Sequence, residues 1–165
     1  MVSKAMTPLL VVLMLAAAGG ACAQSVSLVG PDGQAETLSA GDLAKLARFK
    51  VTLDQHGKVG VYEGASLGDV VARVGAASGK AIHGAEMATV IRVSAADGYQ
   101  VVLGLAETDP GTRPNRVILA DSADGAPLGA DGPFRLVVEG DLRPARSARN
   151  VERIEVLRLA SPAGR

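Results

Sequence analysis

The sequence predicts an α+β domain with a mixed or largely antiparallel sheet and a few short helices. Three observations predict it. Eight or nine short runs are alternating or β-branched and are bounded by Gly, Pro, Asn or Asp. The two or three helical patterns sit mainly between strand pairs rather than after every strand, which disfavours a doubly wound sheet. The chain beyond an N-terminal export signal has the length of one ordinary domain.

The signal is read from "MVSKAMTPLLVVLMLAAAGGACAQ". Lys4 supplies the positive end, and Leu9 to Ala18 is an apolar stretch short for a membrane span. Ala21-Cys22-Ala23 puts small residues at a cleavage site, so residues 1–23 are expected to leave after Ala23 and residues 24–165 to form a single domain. A lipid anchor on Cys22 is the rival reading, although Gly19 stands where a lipobox carries a leucine-like side chain. The expected location is periplasmic or secreted, with no membrane span in the mature chain.

The elements follow in order. "SVSLVG" alternates and reads as a strand, and "PDGQ" as a turn. Ser39 and Asp42 have the spacing of a capping box, with Leu43 and Leu46 on one helical face. "FKVTLD" and "KVGVYEG" flank the His56-Gly57 turn as a hairpin. Ser66 and Asp69 repeat the capping spacing before the apolar stripe Leu67, Val70, Val71 and Val74, and Gly75 and Gly79 punctuate its end. "MATVIRVSA" and "YQVVLGLAE" form a second hairpin around Asp97-Gly98. "RVILA", almost wholly apolar, reads as a central strand. "FRLVVEG" and "ERIEVLRL" are the last strands, and "SPAGR" a frayed tail.

Composition narrows the chemistry. Lys plus Arg and Asp plus Glu each number 17, a balance that argues against nucleic-acid binding. Phe49, Phe134, Tyr62 and Tyr99 are the whole aromatic set, too few for stacking platforms. Cys22 is the only cysteine and leaves with the signal, so the mature chain holds no disulfide, thiolate nucleophile or sulfur ligand. His56 and His83 are the only histidines and lack metal-ligand spacing; His56 reads as an exposed turn residue and His83, near a helix end, as a satisfied or exposed helix residue, and no metal ligand is assigned. No GxSxG, GxGxxG or GxxxxGK pattern is present, and Glu107, Asp109 and Asp97 read as turn chemistry, so no catalytic residue is assigned.

The arginines of "RPARSARNVERIEV" remain. Arg143, Arg146, Arg149 and Arg153 surround Ser147 and Asn150. Guanidinium groups match phosphate or sulfate in two-pronged fashion. Glu139, Asp141, Glu152 and Glu155 lie close enough in sequence to pair with them instead. An anion site and an internally paired rim are both open on the residues alone.

The order of pieces resembles the sulfite oxidase-like, molybdopterin-dependent oxidoreductase domain. "VYEGASLGDVVARVG" resembles its W/Y-x-G-x-x-L-x-D-x-L-x-x-x-G segment, and "AADGYQVVLGLAE" its D-G-Y strand and L-A-E turn. "RVILADSADGAPLGADGPFRLVVEGDLRPARSARNVERIEV" resembles its block of strand, D/N-G-x-P-L turn, G-P-x-R-L-V-V strand, arginine-rich loop and final strand. The match runs from about Leu38 to Leu159. It implies the sulfite oxidase fold, an oxidoreductase ancestry and molybdopterin as the cofactor to test, with Arg146, Ser147 and Arg149 at the family's pterin-phosphate contact. The family's molybdenum-ligating cysteine and its G-N-R element have no counterpart here; only "FKVTLDQHGKVG" occupies that space. The expectation is therefore an exported binding protein for a small anionic ligand, a pterin or a redox partner protein, without a catalytic molybdenum centre. A genuine molybdopterin-binding oxidoreductase or oxidoreductase subunit, and an envelope assembly or structural factor, are the alternatives.

Overall fold

The computed structural model describes residues 24–159. The expected export signal with its cleavage site, Cys22 and the expected frayed tail "SPAGR" lie outside the described residues. Two five-stranded sheets carry the chain. The first has the order β2 (Ala35–Ser39), β1 (Ser25–Val29), β10 (Val151–Arg158), β5 (Thr89–Ala95), β6 (Gln100–Gly104). The second runs β3 (Arg48–Gln55), β4 (Lys58–Ser66), β7 (Val117–Ala123), β8 (Ala126–Pro127), with β9 (Arg135–Val138) also on β7. β1 and β10 pair in parallel, with Ser27 opposite Arg153. The other strand pairs are antiparallel. The mixed α+β class expected from the sequence is the one observed, divided into two sheets where the sequence reading had one.

The strand patterns explain the division. "VIRVS" on β5 alternates, burying Ile91 and Val93. β7 is buried on both faces: Val117 and Leu119 join the main core, while Ile118 and Ala120 join a smaller cluster with Val51, Leu53, Tyr62 and Val137. A run without alternation is what a strand covered on both sides requires. β9 is likewise wholly buried, so Leu136 and Val138 enter the main core and Val137 the smaller one. The alternation of side chains along a strand then puts Arg135 on the same face as Val137.

Short helices close the ends. α1 (Ala40–Leu43) has a capping box: Ser39 Oγ accepts from the Asp42 amide at 3.1 Å, and the Asp42 carboxylate accepts from the Ser39 amide at 3.4 Å. α2 (Leu67–Ala72) buries Leu67, Val70 and Val71, as the stripe predicts. Ser66 stands at its N-cap, at φ of −56° and ψ of 134°, but its hydroxyl makes no capping bond. The capping spacing therefore marks the helix start at both serines but the capping chemistry only at Ser39. β2 was not expected as a strand: only Leu38 of "AETLS" is fully buried, and its place is fixed by pairing to β1 across the turn. No helix among the described residues is long and apolar enough to cross a membrane.

Candidate functional site: a cleft beside the arginine loop

The segment between β9 and β10 holds the arginines. After Gly140, a 3-10 turn spans Pro144–Arg146, with proline pre-set for the start of the turn. The chain then runs back along β9. Leu136 N–H donates to the Ala148 carbonyl at 2.8 Å, and Val151 N–H to the Phe134 carbonyl at 2.9 Å. Ser147, which is buried, accepts the Val138 amide on its hydroxyl at 3.2 Å. Asn150 takes a left-handed conformation with φ of 50°. It is held on three sides: its amide donates to Asp131 O, its side chain to Ala130 O, and its carbonyl accepts from Ala96.

The arginines of this loop face different partners. Arg146 forms a two-pronged pair with Asp141, Nε to Oδ2 at 2.9 Å and NH2 to Oδ1 at 2.7 Å. Its third nitrogen donates to Glu107 at 3.0 Å. These carboxylates, Asp141 foremost and then Glu107, raise the Arg146 pKa further above its already basic value. On Glu107, partial burial pushes the pKa up, but the Gly104 amide and Arg146 outweigh it and hold the carboxyl below the ordinary glutamate value. Arg149 reaches only Asp131, at 3.3 Å, and its side chain is 63% exposed.

A cleft of about 520 Å³ opens beside the loop. Ser147 and Arg149 line it; Arg146 is not among its lining residues, its guanidinium being turned to Asp141 and Glu107. The β3–β4 turn contributes Gln55 and His56. The turn between β5 and β6 contributes Asp97 and Tyr99. Tyr99 ties that turn to the loop, its hydroxyl donating to the Ala145 carbonyl at 2.7 Å. Asp97 Oδ1 accepts the Tyr99 amide at 2.9 Å, and Gly98 sits at φ of 83°, so Asp97-Gly98 is turn chemistry as the sequence predicts.

Arg135 is the residue that the sequence reading passed over. It is 2% exposed and borders the cleft. NH1 donates to Asp131 at 2.6 Å and to the Tyr62 hydroxyl at 3.1 Å, and NH2 donates to Gln55 at 3.0 Å. The Gln55 side-chain amide also donates to the Tyr62 hydroxyl. The guanidinium lies 4.9 Å from the centre of the Tyr62 ring, within range of a cation–π attraction. Its Nε is buried with no hydrogen-bond partner among the described residues. A buried charge needs pairing, and this one has a carboxylate, a phenol and an amide around it. The available signal was a charged side chain at the head of the apolar run "RLVV".

His56 stands in the turn that the sequence predicts, whereas His83 lies on extended backbone outside a helix. His56 is exposed in the β3–β4 turn at φ of 56°, and His83 is exposed just before a 3-10 turn at Gly84–Ala88. Among the described residues no group of three or more His, Cys, Asp or Glu side chains is placed to hold a metal ion.

No family model and no curated protein matches the sequence. Among solved structures, the chain superposes on the sulfane dehydrogenase SoxCD from Paracoccus pantotrophus with a TM-score of 0.62 and 18% sequence identity, over 82% of this chain. It spans 38% of the length of that chain. At that identity the likeness is one of fold, and it is the sulfite oxidase-like fold that the order of segments implies.

Proposed function

We propose that the protein is an exported, non-catalytic binding protein on the sulfite oxidase-like scaffold, and that the cleft beside the arginine loop takes the anionic group of a small polar ligand. The observation that carries the reading is the contrast between two arginines. Arg149 lines the cleft with one long bond to Asp131, whereas Arg146 gives its donors to Asp141 and Glu107. An exposed guanidinium with one weak partner can exchange that partner for an incoming anion; a doubly paired one gains little by doing so.

The residues do not fit a thiolate-ligated molybdenum centre. No cysteine occurs between Gln24 and Leu159. Of the positions corresponding to the family's phosphate contact, Arg146 is committed to carboxylates and the Ser147 hydroxyl accepts the Val138 amide. This supports binding without the family's redox chemistry. A pterin or a redox partner protein remains within the reading as an occupant of the same cleft, and export places the protein in the periplasm or outside the cell.

The experiment has two arms. Isothermal titration with inorganic phosphate should show weak binding that falls about tenfold in Arg149→Ala and stays within twofold in Arg146→Ala, a tenfold change being about 1.4 kcal/mol. Expression in a host that makes the molybdenum cofactor should yield protein without stoichiometric molybdenum or pterin. Stoichiometric metal would overturn the non-catalytic reading, and equal affinity of the Arg149 variant would remove the loop from the site.

A further inference from the structure

We infer that the ligand of this cleft is dipolar, with an anionic group that meets Arg149 and a cationic group, of the ammonium class, that meets Asp97. The inference rests on the binding reading above and names the class of ligand. Its basis is a pair of opposite charges that line one cleft and leave each other alone.

Asp97 and Arg149 belong to segments in direct contact. The Ala96 amide donates to the Asn150 carbonyl at 3.0 Å, so the residues next to them in sequence are hydrogen-bonded. Their side chains nevertheless form no ion pair. Arg149 turns to Asp131, and Asp97 gives one carboxylate oxygen to the Tyr99 amide. Neither arrangement uses up the group. Arg149 makes a single 3.3 Å bond, and Asp97 meets no cation among the described residues.

The remaining charge at the cleft is already balanced. Arg135 is answered by Asp131 at 2.6 Å. Besides the His56 imidazole, what an incoming ligand meets is therefore one unbalanced cation, Arg149, and one unbalanced carboxylate, Asp97, with Pro144, Ala145 and Ala148 also lining the space. A simple anion gains Arg149 but is repelled by Asp97, and a simple cation meets the reverse. A molecule with both charges gains at both ends. The closeness of the two backbone segments asks for a short separation between those charges, as in a small amino acid rather than a long one.

Two-dimensional NMR titration of the 15N-labelled protein with ω-amino acids from glycine to 6-aminohexanoate tests this. The carboxylate and the alkylamine of each matching length, and inorganic phosphate, serve as singly functional controls. The expected result is that a short amino acid moves the amides around Asp97 and Arg149 with at least tenfold higher affinity than its matched carboxylate or amine. Asp97→Asn keeps the turn acceptor while removing the charge, so it should abolish that advantage and leave carboxylate affinity unchanged or improved. If carboxylates or phosphate bind as tightly as every amino acid, the dipolar assignment is overturned while the binding reading stands. If no probe moves these amides, both fall.

Discussion

Asp131 holds the buried guanidinium of Arg135 with one carboxylate oxygen at 2.6 Å and the exposed guanidinium of Arg149 with the other at 3.3 Å. One carboxylate thus serves a structural cation and a cleft-facing cation. Removing a partner from a buried pair leaves an uncompensated charge, at about 3 kcal/mol. Asp131→Ala is expected to lower the free energy of unfolding by about that amount, and Arg149→Ala by less than about 0.5 kcal/mol, as for an exposed pair. Urea denaturation of the two variants checks this; equal losses would show that Arg135 does not depend on Asp131.

The Arg146–Glu107 contact should be sensitive to acid. Partial burial raises the Glu107 pKa, but the Gly104 amide and Arg146 hold it below its ordinary value in the folded chain. A carboxyl with a depressed folded pKa contributes stability above the unfolded value, and that contribution fades as pH falls through the folded one. Thermal unfolding midpoints should therefore decline on acidification below about pH 4.5, the ordinary glutamate value, and the decline should be shallower in Glu107→Gln. A variant with the same pH dependence as the parent would show that this contact is not coupled to folding.

The two serines at helix starts should behave differently. Ser39 accepts the Asp42 amide, and Ser66 makes no such bond. Loss of a functioning N-cap costs about 1 kcal/mol. Ser39→Ala is expected to destabilise by that amount and Ser66→Ala by no more than a few tenths of a kcal/mol, as for a substitution without a lost partner. Chemical denaturation resolves the difference, and equal effects would contradict the capping geometry.

Gly64 sits where β4 crosses β7 at a shift in register. A Cβ there would lie 2.5 Å from the Ala120 Cα and would also strike the Leu119 carbonyl, both backbone of the central strand. Backbone cannot rotate aside as a flexible side chain can, so Gly64→Ala should cost about 3 kcal/mol, at the upper end of overpacking. Gly57→Ala, at a solvent-facing turn with φ of 87°, would be strained in its backbone but meets no neighbour within 4 Å. A smaller loss there, compared by thermal unfolding, separates steric from conformational cost; the reverse order would place the close approach elsewhere.

The site was only partly legible in the sequence. "RPARSARN" was identifiable as a cluster, and its place before the last strand was correct. Which arginine faces the cleft was not, because the partners of Arg146 and Arg149 include Glu107 and Asp131, brought to the loop by the tertiary fold. Arg135 was missed for a related reason. Its partners Gln55 and Tyr62 are on β3 and β4, and only the pairing of β4 and β9 with β7 brings them together. Asp97 was rightly assigned to a turn, but that turn also borders the cleft.

By itself the sequence determined the α+β class, most of the strands and the positions of both helix starts, because periodicity and turn chemistry act over a few neighbouring residues. It also carried the order of segments that implied the sulfite oxidase-like fold. Only the tertiary structure decided that the strands form two sheets, that Arg146 faces Asp141 and Glu107 while Arg149 lines the cleft, and that Asp97 shares that cleft without pairing to Arg149. Those outcomes depend on which charges the fold brings within a few ångströms, and Coulomb and hydrogen-bond energies are set by that separation rather than by distance along the chain.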